Sequence, residues 1–462
     1  MPKAVVIGAS LAGLLAARAL AEHFEAVTIV ERDVLPSDAA YRAGVPQSRH
    51  LHALLARGQR VLERLFPGLR DDLLQCGAED VDWPGDILWL STVGWARRFT
   101  PGLGLLFASR ELIEWRIRDR VLSRANVAVS EGCEAVGLVR DGESRIAGVR
   151  VRSRGTASSE SALEADLVID ASGRDSRAPQ WLEALGYAAP EETTVNAFLG
   201  YASRYYRRPP AARDWKAIVI GTTVDLPRGG AIFPVEGDRW LVTLAGMGGE
   251  YPPTDDRAFL EFARSLRSRI LFDAIAGAEP LGRIHGYRRT ENQLRHYERI
   301  PLPPRLVVAG DAVASFNPIY GQGMTVSALA ALELDRMLRG AVALDVLGPR
   351  FARRLAAIVA APWVLATSED FRYPTTTGGR PPLRVRLMHG YVLRLQQLTT
   401  RDPVILRAFL DVAHLVRSPA VLFSPAIVAR ALAGSRARGL SAPPTETPPA
   451  EALASTMTRP GA

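Results

Sequence analysis

The sequence predicts an α/β fold: a parallel, nucleotide-binding sheet with an inserted, mostly antiparallel sheet domain and added C-terminal helices. Three observations carry this expectation. The chain opens MPKAVVIGASLAGLLAARAL, a β-branched run entering a glycine turn and then a helical composition. Two further apolar runs, ADLVIDASG (165–173) and RLVVAGD (305–311), end in small residues beside a polar group. Between and after them, strand-like segments fill 186–284 and a helical pattern fills 350–434.

Composition narrows the function classes. The 462 residues supply ample core, and 47% hydrophobic with 23% charged residues is ordinary for a soluble globular chain. The net charge of +8 is spread along the chain, without the basic run that a nucleic-acid partner would need. No apolar stretch reaches the roughly 20 residues of a bilayer span, so stable membrane insertion is not expected. Gly8, Ser10, Gly13 and Arg18 interrupt the N-terminal apolar stretch, which argues against a secretion signal and for a cytoplasmic location. Cys76 and Cys133 are too few for a disulfide framework or a zinc site.

In chain order, residues 3–7 are a buried parallel strand, 11–21 a helix and 26–31 (AVTIVE) a second buried strand. The turn between them, GASLAG (8–13), departs from G-x-G-x-x-G at its middle position. Gly8 makes the tight turn and Gly13 lets helix and strand approach, while the helix N-terminus offers donors and positive dipole to a pyrophosphate. Serine is the smallest replacement that brings its own donor, so Ser10 is expected to be tolerated beside Leu11 and Ala12. Glu31 lies about 20 residues on, where a carboxylate can accept from a ribose hydroxyl. The strand ends at Ser172–Gly173 and Gly310–Asp311 would converge with this loop at one sheet edge. The glycine-rich turn before the next helix comes in GDAVASFNPIYGQGM (310–324).

These residues resemble the group A flavin-dependent monooxygenases of the para-hydroxybenzoate hydroxylase fold, over residues 3–345. The resemblance implies a Rossmann-like FAD-binding domain (glutathione-reductase-2 type) built from 1–80, 101–185 and 285–345. Substrate-domain strands would occupy 81–100 and 186–284, helices 346–435 and a disordered tail 436–462. It implies an FAD adenosine half on Gly8–Gly13 with Glu31, Arg32 and the backbone near Ala135. Arg110 would approach the pyrophosphate, Asp311 the ribityl hydroxyls, and Gly321, Gly323 and Met324 the flavin's pyrimidine ring. The DASG form at Ser172–Gly173, where the family usually has Asp-Gly, is similar to the branch of polyether epoxidases, flavin halogenases and geranylgeranyl reductases. AGVPQSRHLHALLARG (43–58), GDAVASFNPIYGQGM and WVLATSEDFRYP (363–374) resemble the monensin- and lasalocid-type epoxidases in particular.

That resemblance implies NADPH or NADH as electron donor, O2, and an oxygen atom delivered from a C4a-hydroperoxyflavin to a hydrophobic polyketide or terpenoid alkene. An aromatic hydroxylase, which would be supported by a base or a tyrosine network, and a double-bond reductase are the alternatives. The halogenase segment W-x-W-x-I-P is not found in the sequence. Val45 and Gln47 would line the isoalloxazine. His50 either contacts it or, with its neighbours, hydrogen-bonds the loop and caps a helix near Leu51. Pro318 and Tyr320 come after the aspartate and face the flavin or serve only the turn. Phe233, Trp240 and Met247 wall the substrate cavity or simply fill core. H-x-H without nearby carboxylates does not point to a metal.

Overall fold

A computed structural model of the chain describes residues 2–142, 144–154, 159–211, 213–434 and 443. The tail expectation at 436–462 therefore lies outside the described residues, save residue 443. The chain folds as mixed α/β. Five parallel strands form the cofactor sheet, in the order Leu306–Val308, Leu167–Asp170, Lys3–Ile7, Ala26–Val30 and Val127–Ser130. Helices cover one face and an antiparallel sheet of Cys133–Arg140, Ile146–Ser153 and Glu160–Glu164 covers the other, so Val5, Val6, Ile29, Val168 and Val307 are all buried, and the strands read as continuous apolar runs. Parallel pairing brings the carboxyl ends together, and with them Gly8, Ser172–Gly173 and Gly310–Asp311. The first helix ends at Leu20 and the second strand at Val30, leaving Glu31 just beyond the sheet edge.

A seven-stranded sheet forms the other half, in the order Pro280–Tyr287, Gly200–Arg207, Arg239–Gly246, Arg228–Val235, Ala217–Ile220, Ile87–Ser91 and Gly94–Trp95. Its one parallel pair is Ala217–Ile220 with Ile87–Ser91. Glu79–Trp83 instead pairs with Leu103–Phe107 in a separate ribbon. Alternation divides the large sheet cleanly. Ile232, Trp240, Val242 and Leu244 face outward onto Phe259 and Leu271, while Ala231, Phe233, Thr243 and Ala245 face inward.

The helix Leu344–Asp370 links the halves. Leu347, Phe351 and Leu355 pack in the cofactor-domain core, and its last turn reaches the inner side of the large sheet. Helices Leu383–Leu398, Pro403–Ala413 and Pro425–Ala433 share a small core of Leu395, Ile405, Leu422 and Ile427. Leu406 and Leu410 dock them on Ala96 and Phe99. Among the described residues no helix is long and apolar enough to cross a membrane.

Candidate active site

A cleft of about 370 Å³ opens at the carboxyl edge of the parallel sheet. Gly8, Ser10, Leu11, Ala12, Glu31, Arg32, Val45, Gln47, Arg110, Ala135, Ser172, Gly173, Asp311, Pro318, Gly321, Gly323 and Met324 line it. Gly13 and Gly310 lie behind this wall. A Cβ on Gly13 would stand 1.8 Å from the Gly8 carbonyl oxygen, and one on Gly310, at φ +66°, 2.5 Å from the Ala12 side chain. These two glycines therefore shape the loop from beneath.

A chain of buried charges organises the Glu31 side of the cleft. Arg42 pairs with Glu31 and Asp33 at 3.2 Å each and with Glu114 at 3.0 Å. Glu114 in turn pairs with Arg110 at 2.7 Å, one turn earlier on the Arg110–Leu122 helix. Ser10 bridges into this pair: its hydroxyl donates to Glu114 and accepts from Arg110, both at 3.3 Å. Burial opposes ionisation of Glu114, but Arg110 and Arg42 outweigh it and hold the carboxyl below its ordinary range. Glu31 accepts from the amides of Ala9 at 2.7 Å and Asp33 at 3.0 Å, which pins the strand end to the glycine loop. Arg42 and Glu114 had no sequence signal of their own; a charged loop residue and a charged helix residue read as solvated until the fold buries both.

The other strand ends are equally fixed. Asp170 accepts from the Ser172 amide at 3.0 Å, the Ser172 hydroxyl at 2.6 Å and the Ser176 hydroxyl. This holds Gly173 at φ +86° with open space where a Cβ would point. Burial pushes the Asp311 carboxyl up, and Arg174 and Arg110 pull it back.

FAD fits this cleft. The helices Leu11–Leu20 and Gly323–Arg339 carry no acidic residue in their first turns and no side-chain cap, so both N-termini retain free donors and positive dipole. Arg110 Nη1, Arg42 Nη2 and Gln322 Oε1 are buried without a partner, the state expected of groups arranged for a polar ligand. Gly173 and Gly323 leave room for a close approach.

Beside the cleft lies an apolar cavity of about 820 Å³, walled by the inner face of the large sheet and the C-terminal helices. Trp83, Trp89, Phe233, Leu365, Leu410 and Phe423 are among its aromatic and aliphatic lining. Leu51, Ala53, Pro318, Gly321 and Gln322 line both spaces, so the two meet across one turn and the Leu51–Ala53 segment. Tyr320 lines the apolar side; its hydroxyl donates to Asp370 at 2.7 Å. Asp370 falls within the WVLATSEDFRYP stretch, but nothing in that stretch names its partners.

Three expectations are corrected. His50 lines neither space: it is buried, bonded through Nδ1 to Ser203 Oγ at 2.8 Å and set edge-on against Tyr201. Nor does it cap a helix near Leu51: the next one begins at Ala56, and the His50 amide closes the short Pro46–Arg49 helical turn, while His52 lines the cleft. Trp240 has the opposite strand parity to Phe233 and Thr243 and stacks on Trp215 outside the cavity. Met247 lies past the strand end, packed with Leu199 and Tyr373. Phe233 is the one of the three that faces the cavity.

Burial pushes His50 down to about 3 and His414, at the cavity wall, down to about 4. Both stay neutral in the fold, whereas an unfolded histidine takes up a proton near 6.5. Stability is therefore lost as pH falls from about 6.5 to about 4, by about 3 kcal/mol per histidine. Urea unfolding at pH 7 and pH 4 is expected to show a loss smaller by about this amount in His414→Gln.

Residues 96–342 match the FAD binding domain family. Over 440 residues the chain is 34% identical to Protein Rv3254 of Mycobacterium tuberculosis (strain ATCC 25618 / H37Rv), covering 93% of each chain. Among solved structures it is similar in fold to the flavin-dependent brominase Bmp2 (TM-score 0.63, 16% identity, 93% of this chain and 98% of that one). It is also similar to PqsL, a probable FAD-dependent monooxygenase from Pseudomonas aeruginosa (TM-score 0.58, 18% identity, 80% of this chain and 97% of that one). With the glycine loop, the three strand ends and these similarities in hand, the chain belongs to the FAD binding domain family.

Proposed function

We propose that the protein is an FAD-dependent monooxygenase that transfers one oxygen atom from O2 to a hydrophobic small molecule, epoxidising an alkene of a polyketide or terpenoid. The observation that carries this reading is the contact of the polar cleft with the apolar cavity across the Pro318–Gln322 turn. Bound FAD would accept electrons from NADPH or NADH and use them to activate O2.

The protein's part is then to hold, orient and keep dry. Gly8, Ser10, Glu31 and Arg110 would hold the adenosine and pyrophosphate, and Asp311 the ribityl chain. The N-terminus of the Gly323–Arg339 helix would stabilise negative charge on the flavin's pyrimidine side. Trp83, Trp89 and Phe233 would exclude water and seat the substrate. The cavity volume, about 820 Å³, suits a ligand of drug size or larger. Few of its lining residues are ionisable: Glu369, tied to Arg372 at 2.9 Å, His414, held neutral by burial, His389, and the phenols of Tyr201 and Tyr320. An alkene needs no base, which agrees with that sparseness. Aromatic hydroxylation is the second reading, favoured by the Tyr320–Asp370 pair at the shared wall.

The test is to supply FAD-loaded protein with NADPH or NADH, isotopically labelled O2 and candidate polyenes or phenols. One labelled oxygen per product molecule is expected, on the alkene for the first reading and on the ring for the second. Flavin turnover without label in any product would overturn both. Saturated products without oxygen uptake would establish a double-bond reductase instead.

A further inference from the structure

We propose that Asp370 is a positioning residue of this active centre: acting from a helix beyond the matched 96–342 segment, it clamps the turn between cleft and cavity and sets where Pro318 and Tyr320 stand. This rests on the reading that the cleft holds FAD and the cavity the substrate.

Asp370 is 0% exposed, at the C-terminal end of the Leu344–Asp370 helix. Three donors converge on its carboxylate. Tyr320 Oη and Asn317 Nδ2 reach Oδ1 at 2.7 and 2.9 Å, and Asn292 Nδ2 reaches Oδ2 at 2.6 Å. The two asparagines are joined to each other and to the turn. Asn292 Oδ1 accepts from the Asn317 amide at 2.8 Å, and Asn317 Oδ1 accepts from the Ile319 amide at 3.2 Å. Every partner presents a hydrogen, so the position requires a group that only accepts. A carboxylate meets that requirement; an asparagine would turn an NH2 toward a donor. The clamp therefore ties a strand of one sheet, the shared turn and the C-terminal helix into one polar core, in which a lost partner is costly.

The clamp has a titration of its own. Burial is the main cause holding Asp370 at about 6, with Tyr320, Asn317 and Asn292 lowering it and Glu369 raising it. Glu369 on the same helix, Tyr320 on the turn and Tyr373 after the helix are the titratable groups around the pair. Protonation would place a fourth hydrogen among three donors and release one of them. The turn would then shift against the flavin.

The absorbance and circular dichroism of the FAD-loaded protein, titrated between pH 5 and 8 without substrate, test this. An inflection near pH 6 is expected. Asp370→Asn should abolish it. Tyr320→Phe keeps the carboxylate but removes a donor that favours ionisation, and should move the inflection up by about one pH unit. A featureless titration of the unaltered protein, or an inflection that neither substitution moves, overturns the proposal. If Asp370→Asn does not fold, the Tyr320→Phe shift decides the matter alone. The readout needs only bound flavin, so failure of oxygen transfer would leave it standing.

Discussion

Arg110→Ala purifies without flavin and unfolds about 3–5 kcal/mol more easily than the unaltered protein. The substitution removes the 2.7 Å partner of Glu114, whose side chain is buried at the back of the cleft. Arg42 remains on the other carboxylate oxygen, but it already serves Glu31 and Asp33. Ser10 loses a donor at the same time and keeps only its bond to Glu114 as a side-chain tie to the Arg110–Leu122 helix. The buried donor Arg110 Nη1, unpartnered in the protein alone, goes with it. Lysine should recover part of the stability and little of the flavin, since it restores charge without the planar fork. Flavin absorbance per chain and urea unfolding read the two effects separately. Full flavin occupancy in Arg110→Ala would contradict the assignment of this arginine to the cofactor.

Gly13→Val is expected to be the most damaging single change in the loop. Its Cβ would sit 1.8 Å from the Gly8 carbonyl oxygen and 3.4 Å from Val6 Cγ1, so the backbone itself must move. A cost of about 3 kcal/mol or more, with most of the chain insoluble, is expected. Gly104→Ala supplies the comparison: nothing lies within 4 Å of its Cβ, and its thermal unfolding should be nearly unchanged. Equal melting temperatures for the two variants would show that the close crossing of loop and helix is not required.

Local periodicity explains what sequence could reveal. The apolar runs ending in GASLAG, DASG and AGD are self-contained statements about a buried strand and the turn that ends it. Parallel pairing then brings them together without further information. Side chains whose meaning depends on a distant partner stayed silent. Arg42 and Glu114 become a pair only when a loop folds against a helix. Asp370 needs Asn292 from a distant strand and Asn317 from the shared turn. Trp240 was misplaced for a simpler reason. Strand alternation gives two faces but not which of them is inner, and RWLVTLAG is apolar on both. His50, in the QSRHLH segment, was drawn toward chemistry by its type and is held by Ser203 and Tyr201 instead.

The two spaces also differ in when they can exist. The last residue lining the cofactor cleft is Ser327, whereas the apolar cavity is not closed until Phe423 is in place. On a ribosome adding 5–20 residues per second, that interval is on the order of ten seconds. A nascent chain thus holds every residue lining the cleft before it holds those that close the apolar cavity. The inner face of the large sheet therefore stays open after synthesis of the cleft's lining, until the helices that roof it are made.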